Sequence, residues 1–200
     1  MANLKETILN PILKGNPITV LVLGICSSLA VTVQLKGACV MALSVIAVTG
    51  LSSLVVSLLR NTIPNRVRII VQLVVVAMMV ILVDQILKAF AYDVDKQLSV
   101  YIGLIITNCI VMGRIEAFAL GNKSIPSLLD GLANGFGYGM ILVIVAFFRE
   151  LLGSGTIFGL QVLPAGYVPN NLVILPPFAL ILLGCIIWVH RAFDKDLQEK

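Results

Sequence analysis

Hydrophobic residues in this chain fall in long unbroken runs, separated by short charged or Gly/Pro-bearing interruptions. They do not alternate with polar residues. Six runs can be drawn: Ile18–Gln34, Gly37–Leu59, Ile69–Ala91, Gln97–Phe118, Gly131–Phe148 and Leu172–His190. A helix needs about 20 apolar residues to cross a bilayer. The second and third runs meet that comfortably. The first and fourth barely reach it, because polar residues intrude. The fourth is uncharged from Gln97 to Gly113 and then ends at Arg114 and Glu116. The connectors expected between runs are Lys36, the arginine-rich stretch around Pro64, Tyr92–Lys96, Gly121–Asp130 with Pro126, and the apolar but Gly/Pro-rich Leu151–Asn171. Pro17 suits the first turn of a helix, where its missing N–H costs nothing. The pattern predicts an all-α integral membrane protein with six transmembrane helices, the first and fourth short, in a single membrane domain over 1–200.

Composition narrows this further. Hydrophobic residues make up 59% of the chain and charged residues 12%, against about 25% charged in soluble domains. Mean hydropathy is +1.05. Continuous apolar runs exclude an outer-membrane barrel, whose strands alternate. The net charge of +4 then bears on orientation in the membrane rather than on nucleic acid. With the amino terminus placed in the cytoplasm, ten of the 14 Lys and Arg residues fall on the inside and four on the outside. That bias predicts both termini cytoplasmic. Met1–Gly15 lacks the apolar core and small-residue site of a cleavable signal.

The two halves share a plan. Each has a short run carrying one cysteine, then a long run ending in arginine, then a third run. Val56-Ser57-Leu58-Leu59-Arg60 closes the second run and Val145-Ala146-Phe147-Phe148-Arg149 the fifth. Three spans per half force the halves into opposite orientations. The expectation is two inverted three-helix repeats, about 17–92 and about 96–191. In transporters of that plan the sites sit at mid-membrane between broken or short helices.

Candidate chemistry is sparse. Cys26, beside Ser27 and Ser28, and Cys109, after Thr107 and Asn108, occupy matching places on the two short runs. A free cysteine is most often a small buried hydrophobe. The pairing, the polar neighbours and the short runs point instead to two thiols facing each other across the bundle. Two thiolates are too few for a closed zinc or iron–sulfur site, which usually takes four ligands. The missing two must then come from another chain. Cys39 and Cys185 lack such context and read as packing residues. Asp84 reads either as a functional intramembrane acid or as a partner of Lys88 one turn on. Asp130 reads either as the N-cap of the fifth helix or as a carboxylate offered to a cation. Glu116 reads as the interfacial partner of Arg114, and the glycines at 131, 135, 137 and 139 as close-packing positions. No phosphate loop, dinucleotide fingerprint or nucleophile motif is present, so NADH is not expected to bind here.

Gly24-Ile25-Cys26-Ser27-Ser28-Leu29-Ala30-Val31-Thr32, Arg66–Ile70, Ile106–Arg114, Pro126–Gly131 and Phe148–Leu151 together resemble the D-type membrane subunits of the sodium-translocating NADH:quinone oxidoreductases. The resemblance spans essentially the whole chain. Related subunits of the Rnf ferredoxin:NAD oxidoreductases share the cysteine and Gly-Arg-x-Glu-Ala-Phe motifs. Val83-Asp84-Gln85 and Lys96–Val100 are closer to the quinone-reductase branch. The resemblance implies a multi-pass protein of a six-membered complex in the bacterial inner membrane. That complex passes electrons from NADH to ubiquinone and pumps sodium outward. It implies partners of the A, B, C, E and F types, with the homologous E-type protein nearest. It implies a 2Fe-2S centre shared with that E-type partner, held on this side by Cys26 and Cys109, and sodium handling at Asp84 and Asp130. Flavins and NADH belong to other members of the complex. The alternatives are the Rnf equivalent and a secondary transporter with no redox role.

Overall fold

The computed structural model describes residues 15–64, 66–90, 101, 103–157, 160–161 and 171–193. The amino-terminal lead-in, the Tyr92–Lys96 connector, most of the 151–171 loop and the charged tail lie outside the described residues. The architecture is helical, apart from a hairpin of two-residue strands, β1 (Thr156–Ile157) and β2 (Leu160–Gln161), paired antiparallel. The helices are α1 (Ile25–Val31), α2 (Leu35–Leu59), α3 (Arg68–Phe90), α4 (Cys109–Arg114), α5 (Ser124–Gly153), α6 (Asn171–Ile174) and α7 (Pro176–Phe193). Three of them, α2, α3 and α5, are long and apolar enough to cross a membrane, and α7 is a shorter apolar helix.

The short runs are broken helices. In the first, Asn16 Oδ1 accepts from the backbone N–H groups of Ile18 and Thr19, opening a helical turn. The chain then breaks at Val22 and Gly24, both in the left-handed region (φ 55° and 80°), before α1 begins. A β-branched residue there is strained, by about 1–3 kcal/mol. The fourth run breaks at Thr107–Asn108, between helical residues 103–106 and α4. A π-helical turn, Ile115–Ala119, follows α4.

The fifth helix corrects the sequence reading. Gly121–Asp130 is not all loop, for α5 starts at Ser124 and runs 30 residues. Pro126 sits in its first turn, where the N–H would have no intrahelical partner in any case. Asp130 is therefore inside the helix and cannot be its N-cap.

The core is built on α2 against α5. Ser44, Thr49 and Ser52 of α2 donate to carbonyls four residues back in their own helix, which satisfies hydroxyls where water is scarce. A Cβ on Gly135 would lie 2.8 Å from the Ile46 Cα, one on Gly139 3.0 Å from the Ala42 Cβ, and one on Gly131 3.1 Å from the Gly50 Cα. Those glycines let the two backbones touch, as their spacing predicts. By contrast α3 leaves Ile69, Ile70, Val74, Met78 and Ile81 exposed, as a helix facing lipid does.

Candidate functional site

Cys26 is the second residue of α1 and Cys109 the first of α4, so each follows a helix break directly. The two breaks pack together. Gly24 has no room for a side chain, since its Cβ would stand 2.6 Å from Ile110 Cδ1 and 3.0 Å from Tyr138 Cε2. Both thiols line one cavity of about 70 Å³, with Gly24, Ser27, Leu104, Thr107 and Asn108. Both are exposed on this chain taken alone.

A polar network lies behind the thiols. Asn108 Oδ1 accepts from the Ile110 N–H and so caps α4. The Asn108 Nδ2 donates to Ser27 Oγ at 3.3 Å. Ser27 Oγ donates to the Gly24 carbonyl at 3.1 Å and lies 2.8 Å from the Tyr138 hydroxyl. A serine has one proton to give. With that proton on Gly24, the Tyr138 O–H donates to Ser27. Tyr138 is fully buried in α5, and nothing in the sequence pattern singles it out.

The carboxylates at 84, 116 and 130 are each paired. Asp130, buried on α5, accepts from Arg114 Nε at 2.9 Å and Nη2 at 2.5 Å, and from Asn134 Nδ2 at 3.1 Å. Glu116 pairs with Arg68 and accepts from Gln72 Nε2 at 2.8 Å. The expected Arg114–Glu116 pair does not form, because residues two apart point away from each other on a helix. Asp84 pairs with Lys88 at 2.5 Å, the i,i+4 contact that is one of its two readings. Asp84 and Asp130 are thus not brought into the thiol pocket.

Further residues escape the sequence reading. Arg149 is buried and donates to Leu29 O at 3.1 Å, Thr32 Oγ1 at 2.5 Å and Ile174 O at 2.5 Å. Its neighbour Glu150 accepts from the Leu35 N–H at 2.5 Å. Arg60 donates to Asn122 O at 2.8 Å. Cys39 is partly buried against the core, as expected. Cys185 is exposed instead, on an apolar groove with Phe148, Phe178 and Val189.

Soft thiolates suit iron or zinc. Among the described residues no cluster of three or more His, Cys, Asp or Glu side chains could hold a metal. The cysteine pair fits such a centre only as half of its ligand set.

These features define a helical membrane protein built on broken helices, with a thiol pair open at its surface. The chain belongs to the Rnf-Nqr family, described as "Rnf-Nqr subunit, membrane protein", whose family model matches residues 4–187. It is 57% identical to the D subunit of the Na(+)-translocating NADH-quinone reductase of Aeromonas hydrophila subsp. hydrophila, over all of this chain and 98% of that protein. It is 56% identical, with the same coverage, to the protein of that name from Aeromonas salmonicida.

Proposed function

We propose that this chain is the D-type membrane subunit of a bacterial sodium-translocating NADH:quinone oxidoreductase. In this reading it supplies two cysteine ligands, Cys26 and Cys109, to a 2Fe-2S centre shared with the homologous E-type partner. The observation that carries it is one pocket lined by both thiols and open at the chain surface. An open thiol pair leaves room for two ligands from a partner. The relatives' names favour the quinone-reductase branch over the Rnf branch, and with it the A, B, C and F proteins as further partners. A centre of this kind carries single electrons between other redox groups. This chain's own part is to hold two thiolates at a fixed spacing in a water-poor site. NADH and the flavins are held elsewhere in the complex.

We place the chain in the inner membrane as six spans with both termini cytoplasmic, in two inverted repeats. Supporting the repeat, Arg60 and Arg149 stand 89 positions apart, as do Ala42 and Gly131, Ile46 and Gly135, and Gly50 and Gly139. The contacts exchange under that shift. Gly139 on Ala42 becomes Gly50 on Gly131, and Gly135 on Ile46 maps onto itself. Arg60, from the first half, reaches the carbonyl of Asn122 in the second, and Arg149 reaches back to Leu29 in the first. A two-fold axis between Ile46 and Gly135 accounts for the exchanged glycine contacts. For sodium, Asp84 and Asp130 are the carboxylates we assign to its passage. Each already holds a cation, Lys88 or Arg114, which an ion using it must displace.

The test is Cys26→Ala and Cys109→Ala in the whole complex. Each should lose iron and NADH-to-quinone turnover, while NADH oxidation by an artificial acceptor at the input subunit survives. Cys39→Ala and Cys185→Ala should retain both. Full iron content in both Cys26→Ala and Cys109→Ala would end the assignment.

A further inference from the structure

We infer that Tyr138 is a positioning residue for the Cys26–Cys109 pair, acting through Ser27 and Asn108. The inference rests on the reading above that the two thiolates hold a metal centre. Ser27 follows Cys26 and Asn108 precedes Cys109. Each pins the chain immediately beside the residue that carries a thiol. The two pins are joined to each other by the Asn108–Ser27 hydrogen bond. Ser27 lies in the short helix α1 and Asn108 caps the short helix α4, and such pieces hold no fixed orientation by themselves. Tyr138 ties them to the 30-residue helix α5 through its hydroxyl on Ser27 at 2.8 Å. Its ring also bears on Gly24, where a Cβ would come within 3.0 Å of Cε2. One buried side chain therefore touches both the residue before the α1 start and the hydrogen-bonded link between the two thiol-bearing segments.

Tyr138 is fully buried in the core cluster that α2 and α5 share. Its counterpart 89 positions earlier is Thr49, whose hydroxyl donates into its own helix, to Val45 O at 2.6 Å. Of these two matched residues, Tyr138 is the one whose hydroxyl reaches Ser27, a residue lining the thiol pocket. A phenol O–H aimed at Ser27 also turns the positive end of its dipole toward the site. In a low-dielectric interior such a dipole favours added negative charge, which here means the reduced form of the centre.

The experiment uses the intact complex with Tyr138→Phe, which removes the hydroxyl and keeps the ring. Two quantities are read: the midpoint potential of the centre by redox-titrated EPR, and the rate at which a chelator strips its iron. The expected results are an assembled complex with iron present, a potential shifted downward, and iron loss several-fold faster than in the unmodified complex. General loss of stability does not move a midpoint potential. An unchanged potential together with an unchanged stripping rate overturns the inference. If Tyr138→Phe fails to assemble, Ser27→Ala removes the same link and is read in the same two ways. Cys26→Ala and Cys109→Ala run alongside separate the two levels. Iron lost from these, with Tyr138→Phe behaving as unmodified, sinks the positioning role alone. Iron retained in these sinks the metal-centre reading and the positioning role with it.

Discussion

Asn108 Nδ2 donates to Ser27 Oγ at 3.3 Å, so the residue before one cysteine is bonded to the residue after the other. The same asparagine caps α4 through its oxygen. One side chain thus starts the helix that carries Cys109 and fixes that helix to the segment carrying Cys26.

The two roles can be separated by substitution. Asn108→Asp keeps a good cap but has no N–H to give Ser27. Asn108→Ala loses both, and the cap alone is worth about 1 kcal/mol. Maleimide labelling of Cys26 and Cys109, with the other cysteines replaced, should quicken in both variants. The melting temperature of the complex should fall clearly only in Asn108→Ala. Unchanged labelling in Asn108→Asp would show that the link to Ser27 does not hold the thiols.

A second prediction concerns α2 and α5. Gly135→Ala places a methyl 2.8 Å from a backbone carbon of Ile46, and backbone cannot yield as a side-chain tip can. Overpacking of this kind costs about 1–3 kcal/mol. Yield of the assembled complex should drop. Gly184→Ala on α7 meets nothing within 4 Å and gains helix propensity of up to about 1 kcal/mol. It should be neutral or mildly stabilising by thermal melting.

Much of this is legible in the amino-acid sequence, and what is not has physical reasons. Long apolar runs mark α2 and α3 because nothing in them competes with helix. The Cys26–Cys109 pairing can be read because both thiols sit on runs too polar to be plain spans. The break at Val22 cannot, since a β-branched residue is a poor signal for a left-handed turn. There the Leu23 N–H donates to the Pro17 carbonyl across the break, a bond the residue types do not announce. Asp130 is misread by a boundary. Taking Pro126 as loop moves the start of α5 to Gly131, and a buried interior carboxylate then resembles a cap. Arg149 does not close its helix, which runs on to Gly153, and its partners lie 24 to 120 residues away; a linear reading carries no such information.

Those partners give a third prediction. The Arg149 guanidinium reaches carbonyls on two segments and a hydroxyl at once. A lysine is a compact point charge and cannot span them. Hydrogen bonds from charged groups contribute about 1.5–3 kcal/mol each, so Arg149→Lys should destabilise nearly as much as Arg149→Ala. Arg60 is only partly buried and its bond to a backbone carbonyl is to Asn122, so Arg60→Lys should be mild. Thermal melting of the complex separates the two, and equal effects at both positions would contradict the argument.

The proposed topology makes a fourth. Reporter fusions after Lys36 and Lys96 should report the outside, and fusions after Arg68 and Lys123 the inside. The opposite pattern would reverse the whole assignment.

The last prediction concerns Asp130 and Asp84. In Asp130 both carboxylate oxygens face the Arg114 guanidinium, and the pair is largely buried. Removing one member of such a pair leaves an uncompensated charge and costs about 3–5 kcal/mol. Asp130→Asn should therefore lower assembly on its own, whatever it does to sodium. Neutralising both members, Arg114→Gln with Asp130→Asn, should restore much of that yield. The restored complex is the one in which sodium can be judged, because structural loss no longer confuses the reading. If Asp130 takes part in sodium passage, the double variant assembles yet needs more sodium to stimulate quinone reduction, since hard cations favour charged oxygen ligands. Asp84 differs. It and Lys88 form an i,i+4 pair with the lysine 44% exposed, and such pairs contribute only about 0.3–0.5 kcal/mol. Asp84→Asn should then assemble normally, so its sodium dependence can be measured directly. The rate of quinone reduction against sodium concentration decides for each residue. Curves matching the unmodified complex in both Asp84→Asn and the Arg114–Asp130 double variant would remove the carboxylates of this chain from the sodium path.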